Sequence, residues 1–200
     1  MTRTATTPMT TTTGPAATGV PRRSSAAFIV VVLAIGLLSG AAALFASGAG
    51  GVAAELPMTA VGIAVLGYLA AAATGIRWMA WLWGGLAGVL VVLAELVDLQ
   101  RWLVLAAGCL VFAVIGLVRR PVVTVPQALA AVGYFGVAVL ALLLEPRVGL
   151  IVGGLALASH AVWDLVHYRR DIVVNRSLAL WCMGLDLVAG LGCVGLAIVG

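Results

Sequence analysis

The chain contains no lysine, and charged residues of any kind make up only 9 % of its 200 positions. Without a lysine amine it cannot carry a retinal-type Schiff base, which removes one well-known seven-helix chemistry. With so little charge it also lacks the polar surface needed to cover a water-soluble globule. Cysteine is scarce too. Cys109, Cys182 and Cys193 are odd in number and fall inside apolar runs, which argues against a disulfide framework. Histidine occurs twice. What fills the chain instead is apolar: 64 % of residues are hydrophobic and the mean hydropathy is +1.21. These numbers describe an integral membrane protein whose first partner is the lipid bilayer. The net charge of +4 does not indicate nucleic acid, because the basic residues come in ones and twos between apolar runs and form no patch. They read as topology signals.

Residues 1–25 hold nine Thr and three Pro and little that could enter a core, so a disordered tail is expected there. Residues 26–200 form the transmembrane domain, an all-α bundle of seven helices. The first apolar run, Ala26 to Ser47, is long enough to span a hydrocarbon core of about 30 Å and follows Arg22-Arg23. A cleaved signal peptide is the rival reading, but the long leader and long run favour an uncleaved span. Further spans are expected at 57–74, 78–97, 102–118, about 125–144, 148–168 and 177–199. Trp78, Trp81 and Trp83 sit where an aromatic belt belongs. With seven spans, Arg3, Arg22, Arg23, Arg77, Arg119, Arg120, Arg169, Arg170 and Arg176 collect on one side, and only Arg101 and Arg147 on the other. Nine against two is a strong positive-inside bias. It places the amino terminus in the cytoplasm and the carboxyl terminus outside a plasma (inner) membrane.

A shift of 69 positions lays Pro57 on Pro126, Gly67 on Gly136, Gly84-Gly85-Leu86-Ala87 on Gly153-Gly154-Leu155-Ala156, and Glu95 on Asp164. This suggests two repeats, 57–120 and 126–199, of three spans each. An odd number of spans per copy would make the copies run oppositely across the membrane, the inverted plan of many transporters.

Chemistry-bearing residues concentrate between Ser159 and Asp171. On a helix, His160, Asp164, His167 and Asp171 are spaced by four, three and four and share one stripe. His160 and Asp164 are expected well inside the sixth span and His167 near its end. Charge this deep costs roughly 2.5–3.5 kcal/mol on insertion scales, so these groups should face protein and be paired. Asp186 in the seventh span lies at a similar depth to His160, with Cys182 one turn away, and the short intervening loop makes the two helices neighbours. His160, Asp164 and Asp186 are therefore the candidate catalytic residues. Together with His167 they are also the candidate ligands of a divalent metal, for which imidazole and carboxylate suit zinc or iron. His160 is expected to face the seventh span, with one ring nitrogen on Asp186 and the other left free. Haem held by both histidines is disfavoured, since on one helix they stand about 10 Å apart. Glu95 and Cys182 are candidate stations on a pathway. Asp98 is expected to pair with Arg101, and Glu145 with Arg147 across a turn.

His160-x-x-Trp163-Asp164-x-x-His167 followed by Cys182-x-x-x-Asp186 resembles a group of uncharacterised bacterial multi-pass membrane proteins that carry H-x-x-W-D-x-x-H-H and a later C-x-x-x-D. Tyr168 stands where that pattern has its second His, and the likeness covers the last two spans. It implies a membrane protein without an assigned activity. The chain is also similar, at the level of fold, to seven-helix zinc hydrolases of the alkaline ceramidase and adiponectin-receptor type, which use three intramembrane His where this chain has two. Three functions are carried forward: an intramembrane site for metal-assisted or proton-transfer chemistry, a proton- or ion-coupled transporter of a small molecule or ion, and a scaffold in which the polar cluster only holds helices together.

Overall fold

The structure, a computed structural model, describes residues 25–50 and 55–199. The tail expected at the amino terminus lies outside the described residues except for Ser25, whose Oγ accepts the Phe28 N–H and caps the first helix. The fold is all-helical, with no strand among the described residues. Among the described residues, seven helices are long and apolar enough to cross a membrane: α1 (Ala26–Gly50), α2 (Leu56–Thr74), α3 (Met79–Leu96), α4 (Arg101–Arg119), α5 (Pro121–Ala141), α6 (Pro146–Arg170) and α7 (Arg176–Val199).

Six of the expected spans match to within a few residues. The fifth begins four residues early, because Pro121 does not close α4 but occupies the first turn of α5, where its missing N–H costs nothing. It also ends at Ala141, in a turn over Leu142–Leu144. Pro126 inside α5 has no N–H to offer Val122, and the helix widens to a π-helical turn at Ala131–Phe135. Arg147 does not pair with Glu145. The Glu145 carboxylate accepts the Arg147 and Val148 N–H groups at the start of α6, and Arg147 Nε donates to Ala197 O near the end of α7, where the helix dipole favours a cation.

α2 is the hub, buried along most of its length and touching α3, α4, α5, α6 and α7. α6 and α7 form the most extensive helix pair, and α1 lies along α7. The α6–α7 crossing is close because small residues meet there: a Cβ added at Gly190 would stand 2.5 Å from Ala158 N and 2.6 Å from Gly154 O. Four residues along α7 from Gly190, Asp186 is thereby brought against His160.

The two triplets of helices do not pack alike. In the first, α2 contacts both α3 and α4 extensively, whereas α3 and α4 meet weakly; in the second, α6 and α7 form the main contact and α5 touches α6.

Candidate functional site

His160, Asp164 and Asp186 are fully or almost fully buried, at 0 %, 0 % and 1 % exposure. The ring of His160 faces α7, and its Nδ1 lies 2.8 Å from Asp186 Oδ2. Asp164, one turn along the same face of α6, brings Oδ2 to 3.6 Å from the same nitrogen. Both carboxylates therefore crowd Nδ1, where the expectation had Asp186 on one ring nitrogen and Asp164 further along a relay. An Nδ1–H donor bonded to Asp186 makes Nε2 the acceptor nitrogen, and Nε2 is buried with no hydrogen-bond partner. Asp164 Oδ2 is likewise buried without one. One ligand atom each from His160, Asp164 and Asp186 lies within 4.8 Å of the others.

Aromatic residues from other helices close the site. Tyr68 of α2, 1 % exposed, donates its hydroxyl to Asp164 Oδ1 at 2.7 Å. Its ring also stands edge-on to both histidines, with centroids 5.9 Å from His160 and 4.7 Å from His167. Tyr134, in the π-turn of α5, packs edge-to-face on His160 at 5.1 Å. The sequence reading missed both. The signal for Tyr68 was there: a phenol deep in an Ala-rich span must find a partner for its O–H.

His167 does not join the cluster. Its Nδ1 donates to Trp163 O one turn back at 2.9 Å, and its Nε2 accepts from Gln127 Nε2 of α5 at 3.2 Å. With both nitrogens hydrogen-bonded and 2 % exposure, it is buried outside the group of convergent ligand atoms. Helical periodicity set it on the correct stripe, but the backbone carbonyl of Trp163 and a glutamine 40 residues away take its ring nitrogens.

Glu95 is also elsewhere. Its side chain, 42 % exposed, forms an ion pair with Arg101, which in turn lies 3.2 Å from Glu55. Arg101 thus takes Glu55 and Glu95 as partners in place of the expected Asp98. Asp98 adopts φ 54° just past α3, where Asp98 N–H meets Glu95 O and Leu99 N–H meets Ala94 O to close the helix. Cys182 is buried and outside the group of convergent ligand atoms, but with Asp186 it lines an apolar cavity of about 390 Å³ between α1, α2, α3 and α7. Trp181 on the same wall donates to Ser39 Oγ at 3.2 Å and packs α7 to α1. Asp171, the last acid of the stripe, pairs with Arg77.

A chain of contacts from α2, α6 and α7 thus runs from Tyr68 through Asp164 and His160 to Asp186 and ends at the cavity wall. No protein-family model, no curated protein and no solved structure matches this chain, so the likeness to other multi-pass proteins rests on the motif residues of α6 and α7 alone.

Proposed function

We propose that this chain is a seven-span protein of the plasma (inner) membrane, amino terminus in the cytoplasm and carboxyl terminus outside, whose His160, Asp164 and Asp186 hold a divalent metal, zinc or iron, for metal-assisted or proton-transfer chemistry. The observation that carries this reading is the buried meeting of two carboxylates and one imidazole, with Asp164 Oδ2 without a hydrogen-bond partner. No arginine pairs with either acid among the described residues. Two ionised carboxylates with a neutral imidazole carry a charge of −2, costly in such a place, and a divalent cation cancels it. An ion held between Nδ1 and the two carboxylates would take the place of the Nδ1 proton, so His160 would have to give up that proton to bind it. Tyr68, fixed on Asp164 Oδ1, acts as a positioning residue that leaves Oδ2 to the ion. Among the chain's own groups, His160 and the two acids are placed to hold and pass a proton, and the apolar cavity at Asp186 gives a small apolar molecule access to them.

The transporter reading rests on Glu95 as a second station and on the inverted repeat. The exposed ion pair of Glu95 and the unequal packing of the two triplets favour the single-site reading over it. Metal analysis of the purified protein is the test. About one equivalent of zinc or iron is expected in the wild-type chain, lost in His160→Ala, Asp164→Ala and Asp186→Ala and retained in His167→Asn. A metal-free wild-type protein whose variants lose only stability would leave the scaffold reading in its place.

A further inference from the structure

A second cavity, of about 480 Å³, opens at the Arg-rich end of the bundle between α2, α5, α6 and the loop that follows α6. Arg77, Arg120 and Arg170 line it, with Gln127 and His167 in its wall, and no carboxylate does. Topology alone requires basic residues somewhere in the flanking loops; it does not require that three guanidiniums from three separate elements converge on one hollow. Like charges brought together repel, so the convergence needs a compensating partner.

Arg77 has one. It pairs with Asp171 and donates through Nε to Val174 O at 3.0 Å, which ties the α2–α3 loop to the loop after α6. Arg120 and Arg170 form no ion pair among the described residues. Arg120 is exposed, yet its guanidinium has a defined place. Its guanidinium lies against Gly75, which has φ 74° and closes α2, and any side chain at Gly75 would occupy the same space. Gly75 therefore serves twice, as the left-handed cap of α2 and as the gap that lets Arg120 turn toward the cavity. In the wall, Gln127 is 4 % exposed and its amide nitrogen meets His167, so recognition of an anion falls to the guanidiniums.

We infer that this cavity binds a phosphate-bearing anion, held by Arg120 and Arg170 with Arg77 at its rim. Guanidinium forks match phosphate oxygens two at a time, and the volume suits a phosphate ester. The same chemistry is offered by a phospholipid headgroup at the membrane surface and by a soluble phosphate. The site is separate from the His160 cluster and does not depend on a metal there.

The test uses the full chain in phosphatidylcholine nanodiscs, titrated in one arm with phosphatidylglycerol supplied in the disc and in the other with inorganic phosphate. Bound lipid is counted by native mass spectrometry and bound phosphate by calorimetry. Saturable binding is expected, weakened roughly tenfold or more in the Arg120→Gln/Arg170→Gln double variant. It should persist in Arg119→Gln/Arg169→Gln, which removes the same charge outside the cavity. The arm that saturates identifies the source. If the cavity double variant fails to insert, Arg120→Gln and Arg170→Gln are measured singly, each expected to weaken binding several-fold at roughly half the free-energy effect. The inference is overturned if neither probe saturates on the folded wild-type chain, or if the cavity and control variants weaken binding equally.

Discussion

Two acidic clusters in this molecule solve the same electrostatic problem in opposite ways. At the α3–α4 turn, Glu55 and Glu95, each 42 % exposed, share Arg101 and the surrounding solvent. In the core, Asp164 and Asp186 are buried and share one imidazole, and a phenol donates to Asp164 alone. An exposed carboxylate without its arginine is still hydrated, so the first cluster tolerates loss of a partner. A buried one has no substitute partner, and the cost of each deletion is the desolvation of whatever stays behind. The location of a charge thus says more about its role than its presence does.

The comparison is tested hardest by removing one acid from each cluster. Asp186→Ala leaves the buried His160 Nδ1 only the 3.6 Å approach of Asp164 Oδ2 in place of its 2.8 Å contact and is expected to cost about 3–5 kcal/mol, whereas Glu95→Ala should cost about 1 kcal/mol or less. Denaturant or thermal unfolding of the inserted protein measures both. Equal losses would mean that the two clusters are not different in kind.

Next in size is Tyr68→Phe, which keeps the ring and removes only the hydroxyl on Asp164. A hydrogen bond to a charged acceptor is worth about 1.5–3 kcal/mol, and the loss should be much reduced in an Asp164→Asn background, since the two groups interact directly. Additive effects in that double-mutant cycle would show that the Tyr68 contact does not contribute. Metal affinity, if a metal is held, should fall by about 10–100-fold in Tyr68→Phe without loss of the ligands themselves.

These expectations rest on features of unequal legibility. The helices were readable because apolar runs long enough to cross a bilayer stand out in the letters, and the start of the fifth was misplaced by taking Pro121 as a stop when it is a start. His160 and Asp164 were readable from an i, i+4 spacing, and Asp186 from a short connection that makes α6 and α7 neighbours. Periodicity alone then overreached at His167, since a stripe says which way a side chain faces and not which atoms reach it first. Tyr68 and Gln127 come from helices 96 and 40 positions away, a pairing that no local pattern encodes. The 69-residue likeness is visible in the letters, but letters alone do not establish a common packing, because Gly, Ala and Pro recur in membrane helices for reasons shared by any span.

The smallest expected effect lies at Asp98, and it separates charge from backbone. The sequence assigned Asp98 to Arg101, but Arg101 engages Glu55 and Glu95, and Asp98 adopts φ 54° at the end of α3. Left-handed backbone is tolerated by Asp and Asn because their short polar side chains bond locally, and it is resisted by β-branched residues at about 1–2 kcal/mol. Asp98→Asn should therefore change stability by less than about 0.5 kcal/mol, although it deletes the charge, while Asp98→Val, which deletes the same charge, should cost the backbone penalty. Unfolding measurements at low and high salt distinguish the causes: a backbone effect is indifferent to ionic strength, whereas an exposed ion pair with Arg101 would weaken as salt rises. A salt-sensitive loss in Asp98→Asn as large as that in Asp98→Val would return Asp98 to the ion-pair role.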